Sequence, residues 1–558
     1  MTENKNRQDG QDMSSHCDTV LRMKKFFSAY KLPIILACIQ WYLCTALQWD
    51  RLFFEYDVEN SVYLFIKAGY LLVLLIGWCS GAYLYKEYKK KNTYALRGVY
   101  IASIYITILL LILLILWPGT WAWDDIIMLS TLKDYQLAPW QHIITSIYQM
   151  LLLQILPFPA GIIFLQNIFI GIIVSYILVL TENTFENFQV VANRFFDTLI
   201  KLVPFLFPPV LAYQFSGYRI GLYVFLELLF FVIMITAWKR KEILSAKKLF
   251  IFVCLSIIVS TWRTESFIYL PVAALFIFMQ KSGSQKRNLA AIALLFMGAW
   301  GVTTLQSNAM HGSENYKVMS TIRQGTELVR HANQEKDKND LYYIDKVIDT
   351  SIVRQNPEVN GERLYWDKNV VRNDYSSIDY HEYIRALVSL TYKYPSVVFR
   401  ERTQLFYHSA VRPDVINLTA SINLYNKDVG KDVIQPIRNF LDKDWIANKP
   451  VFLKARVKLI AAMGRIDKDG HRTKFFKPVW NCTLPLIIMM MSGIYTILKR
   501  RYFLSFCLAS ILAKLLIVIL TSPAPWMMYY LSFYLIGYVI LIYGGICLYR
   551  ERKALHAR

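Results

Sequence analysis

From Pro33 onward the chain is a succession of strongly apolar runs, most of them near the length of a bilayer crossing and joined by short polar loops. A helix needs about 20 apolar residues to cross the hydrocarbon, where no water is present to satisfy exposed backbone groups. Read by that length, the sequence predicts spans at 33–49, 62–85, 98–117, 160–180, 200–215, 218–238, 249–262, 266–280, 289–305, 479–498, 503–520 and 527–548. The expected fold is an all-α polytopic membrane protein with about 12 transmembrane helices. A hydrophobic content of 55% and a mean hydropathy of +0.32 are too apolar for a soluble chain of this length.

The formal charge of +22 would suit nucleic acid if it lay on one soluble face, but it is split into clusters between apolar runs. Membrane lipids with anionic headgroups are the better partner, and no nucleic acid is expected. Clusters such as Lys89-Lys90-Lys91, Lys239-Arg240-Lys241, Lys499-Arg500-Arg501 and Arg550/Arg552/Lys553 all fall on one side of the predicted spans. Positive charge in short loops marks the cytoplasm. The expected layout is a cytoplasmic tail (1–32), a membrane core (33–305) with a first outward loop (118–141), a mainly helical extracytoplasmic insert (306–477), closing spans (478–549) and a cytoplasmic tail (550–558). The eight cysteines show no paired spacing, so neither a disulfide framework nor a zinc site is indicated. The first apolar run lacks a small-residue cleavage site and reads as a retained helix.

Charges at a membrane edge are costly, which makes those on the outward face the functional candidates. The first outward loop places Asp124 and Asp125 behind Trp117, Trp121 and Trp123. Two carboxylates there suit a base acting on a hydroxyl or a divalent cation, Mg or Mn; a solvated loop with an interfacial tryptophan belt is the plainer alternative. Residues 141–156 read as a helix along the outer interface, and His142 near its start is either a substrate contact or a cap. The turn Trp262-Arg263-Thr264-Glu265 offers a guanidinium for phosphate with Glu265 positioning it, or a self-neutralising pair. Arg219 is a weaker phosphate candidate or a helix anchor. In the last loop Trp526 and Tyr529 offer aromatic faces to a sugar, or belong to an interfacial belt. Lys67 and Lys514, inside predicted spans, are expected to snorkel. In the insert, 379–408 reads as helical with Ile384, Leu387, Val388 and Tyr392 on its apolar side and a break at Pro395.

Pro118-Gly119 with Trp123-Asp124, the stretch Tyr135 to His142, Arg263-Thr264-Glu265, Lys393-Tyr394-Pro395 and Pro523 to Tyr530 together resemble GT-C type glycosyltransferases. More narrowly, they resemble a poorly characterised bacterial multi-pass family. The resemblance implies a sugar donor linked to polyprenyl phosphate, a cell-envelope glycan, lipid or protein as acceptor, and an essential acidic residue in the first outward loop, here Asp124 or Asp125. Two departures stand out: Met528 precedes Tyr529 where the family often carries Arg, and Gln141-His142 replaces a common His-Pro pair. A lipid-linked glycan transporter or flippase is the alternative, which intramembrane charges and repeated halves would favour.

Overall fold

A computed structural model describes residues 28, 30–55, 61–121, 123–185, 188–280, 285–310, 314–413, 449–464 and 479–556. Most of the N-terminal tail therefore lies outside the described residues, as do 414–448 and 465–478 of the insert and the side chains of 551–558. Among the described residues the fold is all-α, with one isolated β-bridge, Ile348 to Val371.

In chain order the helices are α1 (30–46), α2 (Ser61–Lys89), α3 (Thr93–Leu116), α4 (Trp123–Lys133), α5 (Ile143–Ile155), α6 (Pro159–Thr184), α7 (Arg194–Leu202), α8 (Pro208–Gln214), α9 (Ile220–Lys239), α10 (Ala246–Thr261), α11 (Tyr269–Met279) and α12 (Gln285–Ala309). The insert contributes α13 (Ile322–His331), α14 (Lys338–Asp345), α15 (Thr350–Gln355), α16 (Gly361–Lys368), α17 (Ser377–Lys393), α18 (Pro395–Phe406) and α19 (Leu453–Gly464). The chain closes with α20 (Thr483–Leu498), α21 (Tyr502–Thr521) and α22 (Leu531–His556).

Seven of these, α2, α3, α6, α9, α12, α21 and α22, are long and apolar enough to cross a membrane, and an eighth span results if the bent pair α7–α8 is one crossing. The protein is therefore a polytopic membrane protein. α6 and α9 form its centre, with 61% and 72% of their apolar windows buried, whereas α12 has 17% buried and turns Met297 and Trp300 outward. The predicted span 200–215 is not one rod. Pro208 and Pro209 open α8, where proline has no N–H to give and disfavours helix in the residue before it, and the chain turns by 73°. The polar groups at this break are met from neighbouring helices. Gln166 of α6 donates to the Gln214 carbonyl (2.8 Å), Gln214 donates to Asn167 Oδ1 (3.0 Å), and the Tyr105 hydroxyl of α3 lies 3.2 Å from Phe205 O.

Two further expectations change. α5 does not present a polar side to solvent: Thr145, Ser146, Gln149 and Gln154 are buried, and the helix packs between α2 and α6. Trp262 Nε1 donates to Thr145 (2.8 Å), Gln149 donates to Gly217 O (2.7 Å) and Gln154 to Tyr135 Oη (2.7 Å), so the polar stripe is a set of tethers. Nor do Lys67 and Lys514 snorkel. Both are buried and paired, Lys67 with Asp50 at 3.0 Å and Lys514 with Glu227 at 2.9 Å. A buried ammonium with a carboxylate in reach stays in place, because extending to water would leave that carboxylate unpaired.

Helix ends gather on two opposite faces. On the basic face the ring of Tyr30 meets Lys86, Lys239 lies over Phe185, and Trp238 stacks on Phe503. On the other face the insert is seated. It has its own core of Val318, Ile322, Leu328, Ile348, Leu364 and Leu390, among others. α17 starts at a capping box of Ser376 and Asp379 and ends before Pro395, which opens α18. Its buried stripe is Tyr383, Ala386, Leu387 and Leu390, an i, i+3, i+4, i+7 set; Val388 and Tyr392, expected inside, are exposed.

Candidate functional site

The site begins where α3 ends. Gly119 has φ +122°, and a Cβ there would come within 2.9 Å of Phe215 O, so only glycine lets the loop lie this close to α8. Thr120 N donates to Phe215 O (2.8 Å), Thr120 Oγ1 donates to Ala212 O (2.9 Å), and Trp121 Nε1 donates to Pro118 O (3.1 Å). Trp121 is fully buried and so no member of an interfacial belt. From the insert, buried Arg456 of α19 donates to Gly119 O (2.8 Å) and holds the loop from above.

So anchored, the chain enters α4 with Asp124 and Asp125 in its first turn, the end of a helix dipole that favours carboxylates. Asp125 is buried against Gly217, where a Cβ would stand 3.2 Å from Asp125 Oδ1 and 2.8 Å from Trp121. Asp124 is only half-buried and accepts a hydrogen bond from the Tyr218 hydroxyl (3.2 Å). Burial holds the Asp124 carboxyl above its ordinary range, against the Tyr218 hydrogen bond and the charge of Arg219, which pull it down. The side chain of Trp123 lies outside the described residues.

Arg219 stands at the N-terminus of α9 and donates to Gln141 O (3.0 Å) and Trp262 O (3.5 Å). Among the described residues no carboxylate lies within ion-pair distance of it. Arg263 differs: it is buried, pairs closely with Glu265, and lies over the rings of Tyr223 and Tyr529 (5.9 and 5.6 Å). Burial alone would raise the Glu265 carboxyl, but Arg263 and then Lys514 outweigh it and bring it to about 2. The pair is thus ionised throughout the physiological range. His142 has φ 72° and caps α5, its Nδ1 accepting from Ile144 N (3.3 Å). Burial, with the charge of Arg219, lowers it to about 3, so it is neutral at working pH.

The insert closes the site from above with residues that the sequence did not single out. Glu362 of α16 accepts a hydrogen bond from Trp526, and burial raises its carboxyl, with the charge of Asp124 adding to the rise. Tyr316, half-buried, feels Arg219, Asp124 and Glu362 together. Arg402 of α18 donates to Ser522 O (2.9 Å) at the start of the last loop, the loop that carries Trp526 and Tyr529. Asp124, Arg219, Arg263, Glu265, Trp526 and Tyr529 thus meet beneath the insert. His142 stands next to Gln141, the residue whose carbonyl Arg219 holds.

No known protein-family model matches this chain, and neither a curated protein nor a solved structure does.

Asp124 and Asp125 are consecutive on a helix, about 100° apart around its axis; Asp124 accepts from the Tyr218 hydroxyl and Asp125 lies against Gly217. Among the described residues no three His, Cys, Asp or Glu side chains gather to hold a metal ion. Mg and Mn take near-octahedral oxygen shells, which two carboxylates alone do not complete. The residues do support base chemistry at Asp124. Because its carboxyl is raised, any reaction needing the carboxylate should lose rate on acidification at a pH above the ordinary Asp value of about 3.9. Tyr218→Phe removes a hydrogen bond that lowers the Asp124 pKa, so the acid limb of the pH–rate profile should move to higher pH, with little change on the plateau.

Proposed function

We propose that this protein is a GT-C-like membrane glycosyltransferase that moves a sugar from a polyprenyl-phosphate donor to a cell-envelope acceptor at the face bearing the insert. The observation that carries the reading is the meeting, under one roof, of a half-buried carboxylate with raised pKa and a guanidinium that, among the described residues, is held by carbonyls. In this reading about twelve helices cross, with α1, α10, α11, α20 and the bent α7–α8 pair joining the seven long ones. The basic face and both termini are cytoplasmic by the positive-inside rule, and the insert is extracytoplasmic.

The donor's lipid tail stays in the bilayer while its phosphate meets Arg219, which has no carboxylate partner among the described residues and can bind an anion bidentately. Arg263, neutralised by Glu265, shapes the wall rather than gripping phosphate. Trp526 and Tyr529 supply aromatic surface for the sugar. The acceptor oxygen bonds to the anomeric carbon as the bond from that carbon to the phosphate oxygen breaks. Asp124 takes the acceptor's proton, and the released polyprenyl phosphate carries away the electron pair and negative charge that Arg219 stabilises. No step is routed through a metal. Arg219→Ala should lower kcat/KM for the lipid-linked donor by about 10- to 100-fold, the worth of hydrogen bonds to a charged group. Arg219→Lys should restore part of it. Equal rates for wild type and Arg219→Ala in membranes assayed over a donor series would remove Arg219 from the reading.

A second reading, transport or flipping of a lipid-linked glycan, is favoured by one observation: the Glu227–Lys514 pair lies between α9 and α21, inside the bundle. A transporter would carry intact donor across the bilayer and break no glycosidic bond.

A further inference from the structure

On the basic face, opposite the site above, the ends of α3, α6, α7 and α22 surround a cavity of about 830 Å³. Four cations line it, Arg97, Arg194, Lys201 and Arg550, against two carboxylates, Glu182 and Asp197. The inner part of this set is internally matched. Arg97 grips Glu182 through Nε and Nη2 (2.9 and 2.7 Å), and Lys201 donates to Glu182 (2.8 Å) and Asp197 (2.6 Å).

The remainder is not. Arg97 Nη1 is buried, and among the described residues it has no hydrogen-bond partner. Arg550 Nε donates to the Gln189 carbonyl, and neither Arg550 nor Arg194 has a carboxylate within ion-pair distance among those residues. Among the described residues the mouth thus presents two guanidiniums with no carboxylate partner, and one unused N–H of Arg97 is buried behind them. Beside it, α7 points Asp197 and Lys201 inward and leaves Phe195 and Phe196 exposed. Tyr94 and Tyr100 of α3 are exposed along the same rim. A cationic cleft flanked by outward aromatic rings at the end of membrane helices matches an amphiphile with an anionic head and apolar chains.

We propose that this cavity binds the phosphate headgroup of an anionic membrane lipid, with Arg194, Arg550 and Arg97 Nη1 as donors and Phe195 and Phe196 against the acyl chains. This site is separate from the proposed transfer chemistry and does not depend on it.

The test uses the full chain purified in a neutral detergent, with binding of phosphatidylglycerol, phosphatidylcholine and inorganic phosphate followed by native mass spectrometry and thermal shift. Phosphatidylglycerol should be retained and raise Tm, while phosphatidylcholine and inorganic phosphate should do neither. Arg194→Ala/Arg550→Ala should weaken phosphatidylglycerol binding by about 30-fold, at roughly fivefold for each cation near a lipid surface. Lys499→Ala/Arg500→Ala, on the loop between α20 and α21, should leave it unchanged. An unaltered affinity in the Arg194/Arg550 variant, or equal loss in the Lys499/Arg500 variant, overturns the site. Stabilisation by inorganic phosphate equal to that by phosphatidylglycerol overturns the lipid as its ligand. Phe195→Ser/Phe196→Ser, which leaves every cation in place, should weaken the long-chain lipid more than its short-chain analogue; equal weakening of both overturns the role given to the rings.

Discussion

Asp124→Asn should reduce sugar transfer by about 10²–10⁴-fold, the range that a positioned general base contributes, while the protein still inserts and folds. Asparagine keeps the shape and can still accept the Tyr218 hydrogen bond (3.2 Å in the wild type), so a loss of rate reports the missing base rather than a collapsed site. The same change at Asp125 separates the two carboxylates. Asp125 is buried against Gly217 and Trp121, so Asp125→Asn should act mainly on stability or expression, with a smaller effect on rate in the protein that does fold. If Asp125→Asn abolished transfer and Asp124→Asn did not, the roles would be reversed.

The second large effect concerns the bundle. Glu227 is fully buried and accepts from Lys514 through both oxygens (2.9 Å each), from Tyr269 (2.6 Å) and from Ser532 (2.5 Å). Glu227→Gln removes the negative charge and strands the ammonium in an apolar interior, a change that costs about 3–5 kcal/mol. The double change Glu227→Gln/Lys514→Met should recover most of that loss, since replacing both members of a buried pair with neutral groups is often neutral or stabilising. Unfolding in mixed micelles followed by helix signal would measure it. The double variant also bears on mechanism: a structural pair leaves transfer intact once stability returns, whereas an ion-coupled transport cycle would stop.

Much of the fold was legible because a span is a local property. Apolar runs such as those of α3 and α9 announce themselves, and Lys514 stood out as a charge within such a run. Its partner Glu227 did not, because the two lie 287 residues apart and snorkelling is an equally local explanation for a lone lysine. The Pro208-Pro209 dipeptide lay inside 200–215, read as one span, and its accommodation rests on Gln166, Asn167 and Tyr105 of other helices.

At the site the same division holds. Asp124, Arg219 and Arg263 were identifiable as charges at outward turns, yet which arginine is committed to a carboxylate is a matter of geometry. Sequence favoured Arg263, whose neighbour two residues on is the very group that neutralises it. Glu362 and Tyr316 could not be singled out, because nothing local distinguishes them from other polar residues of the insert. They count only because α16 and the segment before α13 come down to Asp124, Arg219 and Trp526.

The central claim is that a glycosidic bond is made beneath the insert at the expense of a lipid phosphate. Wild-type protein and Asp124→Asn, reconstituted in liposomes with a series of synthetic polyprenyl-phosphate sugars and envelope extract, should be followed by mass spectrometry for released polyprenyl phosphate and for sugar covalently joined to an acceptor. Both products should form with the wild type and fail to form with Asp124→Asn. Intact donor appearing in the opposite leaflet, with no phosphate released and no glycoside made, would contradict the account and establish transport in its place.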